Sequence, residues 1–264
     1  MTFQPIIPFG GLQGWMYLDR TYEVQLESFS AQARLQRDVA YFKEQIGTIT
    51  SASDLVQDRR LREVALGAFG LSEDMPNIYF VQRILGDGVQ SDDALGNRLA
   101  DTRYREFSAA FGLGPGEFRQ TGNAAAMAEI ADLYLARSFE EAVGQQDDTM
   151  RISLNAKREL AEIATGAGSE NAKWYTILGQ PPLRALFETA LGFPPSFGQA
   201  DLERQLTAFQ DRLASMTGSN SIAQFEDPEA VDQLITVYQA RAQIQSGAIS
   251  TSPAATALAL LSGR

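Results

Sequence analysis

The sequence predicts an all-α fold, a multi-helix bundle assembled from duplicated capped helical units, with no sheet. Three observations carry that expectation. Apolar residues recur at three- and four-residue steps along most of the chain. No stretch sustains the apolar–polar alternation of a half-buried strand. One helix ending, a stripe closed by glycine and then a further apolar residue, is spelled three times: "LREVALGAFGL" at 61–71, "YREFSAAFGL" at 104–113 and "LRALFETALGF" at 183–193.

Taken in order, residues 1–16 read as an extended N-terminal arm, because Pro5, Pro8, Gly10, Gly11 and Gly14 oppose a helix there. The arm is apolar at Phe3, Ile6, Ile7 and Phe9, so it either packs on its own domain or offers those four side chains to a partner. From Tyr17 the pattern becomes helical, and Leu35, Val39, Phe42 and Ile46 form a clear stripe. "TSASDL" restarts the chain behind a hydroxyl cap, and Asp58 is placed to cap the next helix. There Leu61, Val64, Ala65, Ala68 and Phe69 make the buried face. Gly70 closes it, since only glycine takes the left-handed closing conformation without strain.

The second ending has Asp101 as cap, Tyr104, Phe107, Ala110 and Phe111 as stripe, and Gly112 as terminator. The third opens on Pro181 and Pro182, where a missing N–H costs little, and closes at Gly192. The first and third align without a gap, 122 positions apart, and share an upstream apolar residue (Leu55, Ile177). "FEDPEAVDQLITVY" at 225–238 reads as a fourth, glycine-less relative of the same helix. This repetition indicates an old duplication of helical units. Longer helices are expected over 124–144, 152–165 and 200–216. The Gly/Pro-rich loop at 112–123 is the expected boundary between a first helical half, 17–113, and a second, 124–246, packed as one body. A small-residue tail, 247–264, is expected to form a short helix.

Composition excludes several functions. Twenty-two basic residues face 33 acidic ones, a net charge of −11, which repels phosphate backbones and anionic bilayers. No nucleic acid and no membrane insertion are therefore expected, and no run approaches the roughly 18 apolar residues of a spanning helix. There is no cysteine and no histidine. This removes thiolate chemistry, the usual general base near neutral pH and the commonest transition-metal ligand. The opening twenty residues carry no signal-peptide pattern, so the chain is expected to be cytoplasmic, or exported by a route that cleaves no signal.

What remains for chemistry is weak. "GLGPGEF" has neither the lysine nor the preceding strand of a phosphate loop. "LGDGVQSDD" lacks the ligand spacing of a calcium loop. The acid pairs Glu73–Asp74, Asp92–Asp93, Glu140–Glu141 and Asp147–Asp148 fall in turns or on polar helix faces, where carboxylates cap and solvate. No catalytic residue, cofactor or metal is therefore expected. Arg62, Arg105 and Arg184 each follow the first stripe residue of a copy. They read as repeated salt bridges beside the core or as repeated partner contacts.

The segments "ITSASDLVQDRRLREVALGAFGL", "RLADTRYREFSAAFGLG" and "YTILGQPPLRALFETALGFP", in that order, resemble an uncharacterised alphaproteobacterial family often encoded among flagellar genes. "FQPIIPFGGLQGW", "LDRTYEVQLESFS" and "LQRDVAYFKEQIG" resemble its N-terminal part, so the resemblance runs from about residue 3 to 240. It implies an all-helical fold and a flagellar setting, and brings no activity or catalytic residues. The leading expectation is a non-enzymatic flagellum-associated protein with protein partners, acting in assembly, export or structure, its oligomeric state left open. The alternative is a carboxylate-based enzyme or a small-molecule-binding helical protein.

Overall fold

The computed structural model describes residues 3–250, and among them the regular elements are all helical. They are α1 (Gly11–Ser30), α2 (Ala33–Gln45), α3 (Ala52–Gln57), α4 (Arg59–Ala68), α5 (Ile78–Asp87), α6 (Leu95–Arg98), α7 (Arg103–Phe111), α8 (Ala124–Gly144), α9 (Asp148–Thr165), α10 (Glu170–Gly179), α11 (Pro181–Leu191), α12 (Leu202–Thr217) and α13 (Pro228–Ser250), with short 3₁₀ turns between some of them. The expected tail helix over 247–264 falls almost wholly outside the described residues.

The chain divides into two compact units. The first holds residues 1–6 and 21–145, the second 7–20 and 146–264. This moves the expected boundary from the 112–123 loop to 145/146. The reason is α8: its buried face, Met127, Ile130, Ala131 and Tyr134, packs on α4 and α2. The loop itself is bound to the first unit, because the buried Thr121 hydroxyl donates to the Ile49 carbonyl at 2.8 Å. The arm is also shorter than expected, since helix begins at Gly11. Its glycines serve close packing. A Cβ on Gly14 would stand 1.8 Å from the Phe9 carbonyl oxygen and 2.6 Å from Met150. Within α1, Trp15 and Leu18 are buried in the second unit and Phe29 in the first.

In the first unit a short helix, α3, meets α4 at a single residue, Asp58, whose carboxylate accepts from the N–H groups of Arg60 and Leu61. Behind α3 a capping box joins Ser51 and Asp54. Leu61, Val64, Ala65 and Ala68 are buried, and α4 lies between α2 and α8. It ends in a Schellman motif: Leu71 N–H donates to Leu66 O at 2.9 Å and Gly70 N–H to Gly67 O at 3.1 Å, with Gly70 at φ +65°.

The second unit repeats the plan. Here α10 meets α11 at Gln180, Leu183, Leu186, Phe187 and Ala190 are buried, and α11 packs on α9 and α13. Phe193 N–H donates to Glu188 O at 2.8 Å and Gly192 N–H to Thr189 O at 3.1 Å, the same Schellman pattern. The first and third helix endings are thus true counterparts. The second is not: Gly112 N–H makes one bond to Ser108 O at 3.1 Å, and α7 packs on α5 and α6 at the side of its unit. A capped amphipathic helix has converged there on the same spelling.

The 225–238 segment is likewise reassigned. Its helix, α13, is the counterpart of α8 at a shift of 104 positions. Asn123 corresponds to Asp227, and the buried residues Met127, Ile130, Ala131 and Tyr134 correspond to the buried Val231, Leu234, Ile235 and Tyr238. Tyr-x-Ala-Arg is common to both, as Tyr134 to Arg137 and Tyr238 to Arg241. Each arginine lies against the closing glycine of its own central helix, Arg137 beside Gly70 and Arg241 beside Gly192. A guanidinium there offsets the partial negative charge of a helix C-terminus.

Candidate functional site

Within the first unit a cleft of about 360 Å³ opens along α2, α4 and α8. Its apolar surface comes from Phe29, Leu35, Met75 and Ala142, and its polar groups from Arg34, Arg59, Glu63, Ser72, Tyr134, Ser138, Glu141 and Gln145. Local folding places each of them. Arg59 is the first residue of α4, held at the mouth because Asp58 turns the chain there. Glu63 follows one turn later. Tyr134 comes from the middle of α8 and reaches the cleft across Gly67, where an added Cβ would stand 2.7 Å from its ring. A glycine inside a helix costs about 1 kcal/mol relative to alanine; here it is what lets the ring in.

The electrostatics are uneven. Arg34 is ion-paired to Glu63 and, at 3.7 Å, to Asp38, and the hydrogen bond to Glu63 raises its already high pKa. Burial first, then the charges of Glu63 and Asp38, push the Tyr134 phenol up to about 12, so it is a neutral hydroxyl at any ordinary pH. Ser72 donates to the exposed Glu141 carboxylate at 2.8 Å. Arg59 is exposed and forms no ion pair among the described residues. The cleft therefore combines an exposed arginine, Arg59, with two carboxylates that already have partners, several neutral hydrogen-bonding groups and an apolar wall.

The residues singled out in the sequence are dispersed. On the arm, Ile6 and Phe9 are 52% and 60% exposed, whereas Phe3 and Ile7 are half-buried. The arm backbone is fixed: Ile6 N–H donates to Gln25 Oε1 at 2.7 Å, Gln25 Nε2 donates back to the Ile6 carbonyl at 3.2 Å, and Gln32 Nε2 donates to the Phe3 carbonyl at 3.3 Å. The three arginines do not share a role. Arg62 is 8% exposed, and its guanidinium donates to the Val56 carbonyl, an acceptor left over at the end of α3. It is thus no surface contact. Arg105 is exposed on α7. Arg184 is half-buried, donating to Glu188 at 2.9 Å and Gln205 at 2.7 Å.

Members of three of the four acid pairs have structural partners. Asp74 accepts from Tyr104 at 2.7 Å, Asp147 caps α9, Asp148 pairs with Arg151 at 2.6 Å, and Glu140 is buried 3.6 Å from Arg137. Among the described residues no group of three or more carboxylates is arranged to hold a metal ion. No helix among them is long and apolar enough to cross a membrane.

A family model, DUF1217, described as a protein of unknown function, matches residues 68–231, a span that runs from the end of α4 into α13. No curated protein matches the chain. Among solved structures, the X-ray crystal structure of protein AGR_C_984 from Agrobacterium tumefaciens is similar, with a TM-score of 0.72 and 23% identity, covering 92% of this chain and 99% of that one. At that identity the likeness is one of fold.

Proposed function

This chain belongs to the DUF1217 family, and we propose that it is a non-enzymatic, flagellum-associated protein that works by binding other proteins. The flagellar setting is supported by the ordered set of segments from "FQPIIPFGGLQGW" to "YTILGQPPLRALFETALGFP". The binding role is supported by one observation, the arm. Its backbone is held at Ile6 by Gln25 and at Phe3 by Gln32 while the Ile6 side chain stays largely in solvent; the Phe9 side chain, in the second unit, is exposed as well. Apolar side chains on a backbone that is already ordered lose less entropy on binding than the same residues on a loose terminus.

The test is genetic. Deletion of the gene is expected to reduce swimming and the number of flagella per cell, with the protein found among sheared filaments or basal bodies. Complementation with the full chain restores both, and complementation with Ile6→Asp/Phe9→Asp, folded to the same Tm, does not. Normal motility in the deletion, together with absence of the protein from those fractions, overturns the reading.

A further inference from the structure

We infer that the cleft of the first unit binds a small hydrophobic monocarboxylate, with Arg59 taking the carboxylate and the apolar wall taking the body. The inference is independent of the flagellar reading and starts from a charge that the fold leaves over. Three of the first four residues of α4 are arginines, at a helix end where positive charge is disfavoured. Two of them have a structural role. Arg60 pairs with Asp38 at 3.3 Å, donates to the Arg37 carbonyl at 2.8 Å and lies 4.1 Å over the Tyr41 ring. Arg62 donates to the Val56 carbonyl. Arg59 has no such partner among the described residues and lines the cleft instead. Duplication shows that folding does not require it. At the 122-residue shift that superimposes the two Schellman glycines, Arg59 corresponds to Pro181 and Glu63 to Ala185. At the 104-residue shift that relates α8 to α13, Ser138 corresponds to Ala242 and Glu141 to Gln245. The same helix junction therefore folds in one chain with none of these charges.

The neighbours of Arg59 narrow the ligand. Glu63 is ion-paired to Arg34 and Glu141 accepts from Ser72, so both carboxylates of the cleft are engaged and neither is left to take an ammonium. What Arg59 lacks is one negative charge, and a planar guanidinium takes a carboxylate through two parallel N–H donors. The Tyr134 phenol, neutral up to about pH 12, supplies a hydrogen bond without adding charge. Phe29, Leu35, Met75 and Ala142 face the body of the ligand. A phosphate dianion is disfavoured, since its second charge would meet Glu63 and Glu141 with Arg34 already committed. A volume of about 360 Å³ lies at the small end of ligand pockets, and suits roughly a dozen heavy atoms.

The experiment is calorimetric titration of the full chain with three probes: 3-phenylpropanoate, its neutral amide 3-phenylpropanamide, and the cation 2-phenylethylamine. Saturable binding is expected for the acid, weakened about tenfold or more for the amide, as for loss of a charge-assisted hydrogen bond, and weaker still for the amine. Arg59→Gln should weaken the acid about tenfold or more and leave the amide unchanged, with Arg59→Lys intermediate because a point charge replaces the fork. Arg59→Pro, which copies the second unit, should bind the acid no better than Arg59→Gln. Ala142→Phe, which fills the apolar end, should abolish binding of acid and amide alike; if it fails to fold, Arg59→Gln, at an exposed position, decides the matter alone. Arg204→Gln, exposed in the second unit, is the control and should bind as the wild type does. No saturable binding of 3-phenylpropanoate in the millimolar range overturns the proposal. So does equal affinity for the amide, tighter binding of the amine, acid binding unchanged in Arg59→Gln, or an equal loss in Arg204→Gln.

Discussion

At the centre of the first unit Ala65 is fully buried on α4; 122 positions later, Phe187 is fully buried on α11, its ring edge-on to Trp174 and to Phe225 at 5.5 and 5.8 Å. The two helices share a one-residue joint before them, a Schellman motif after them and an arginine from the following long helix beside the closing glycine. Both units keep the buried tyrosine of the long helix that follows, Tyr134 laid across Gly67 in the first and Tyr238 in the second. What differs is the matching residue of the central helix, a small alanine in one unit and a large ring in the other. Duplication has kept the backbone joint and changed the side chains packed around it.

Transplanting one solution into the other unit should therefore fail, and this gives the largest expected effect. Phe187→Ala removes a ring that touches two other buried aromatics, and should cost about 3–5 kcal/mol. The reverse change, Ala65→Phe, forces a ring into a fully buried alanine site and should cost about 1–3 kcal/mol or more. Denaturant unfolding of each variant checks both. If Ala65→Phe were neutral, the first core would have room that the comparison denies it.

The closing glycines come next. Gly70 and Gly192 both adopt positive φ, and the flexible ends of Arg103 and Arg241 are the nearest groups an added Cβ would meet. Alanine at either should cost about 1–2 kcal/mol, mostly from the left-handed backbone. Gly112 has the same sign of φ, but its Cβ would stand 2.2 Å from the Phe118 carbonyl oxygen, a backbone atom that cannot turn aside. Gly112→Ala should cost more than either. Equal losses at all three positions would return α7 to the family of the other two.

These comparisons also show how much of the molecule could be read from its sequence. The capping aspartate Asp58, the stripes of α4 and α11 and the two Schellman glycines were legible because each is a local signal, confined to one helix. The α8–α13 correspondence was not. Its 104-residue shift differs from the 122 of α4 and α11, and an Asp-Pro start with a three–four stripe fits either kind of helix until packing partners are known. Arg62 was misplaced for a related reason: its spacing puts it beside the stripe, but the spare carbonyl of Val56 across the joint draws it inward. The cleft brings together residues from 29 to 145, so no window of sequence contains it. The signal that could have found it is the pairing of charged residues in one copy with Pro, Ala and Gln in the other.

The smallest effect lies at the joint itself, where the two units solve one problem in two ways. Asp58 caps α4 through the N–H groups of Arg60 and Leu61 and also accepts from the Tyr41 hydroxyl at 2.6 Å; Gln180 makes no side-chain cap, and proline at the first turn of α11 leaves fewer N–H groups to satisfy. Asp58→Ala should cost about 1 kcal/mol. Adding Arg59→Pro, which writes the second unit's solution into the first, should return about 0.4–1 kcal/mol by stiffening the unfolded chain. Acid sharpens the test. Burial pulls the Asp58 carboxyl upward, but the hydrogen bonds from Tyr41, Leu61 and Arg60 and the Arg60 charge outweigh it, so its pKa lies below the ordinary aspartate value. A carboxyl depressed in the folded state contributes stability that is present above its unfolded pKa and lost as pH falls through the folded one. The stability gap between the wild type and Asp58→Asn should hold steady from neutral pH to about 4, then close. A gap that widened on acidification would mean that the carboxylate is held there against its preference, and that the first unit keeps Asp58 for something other than the cap.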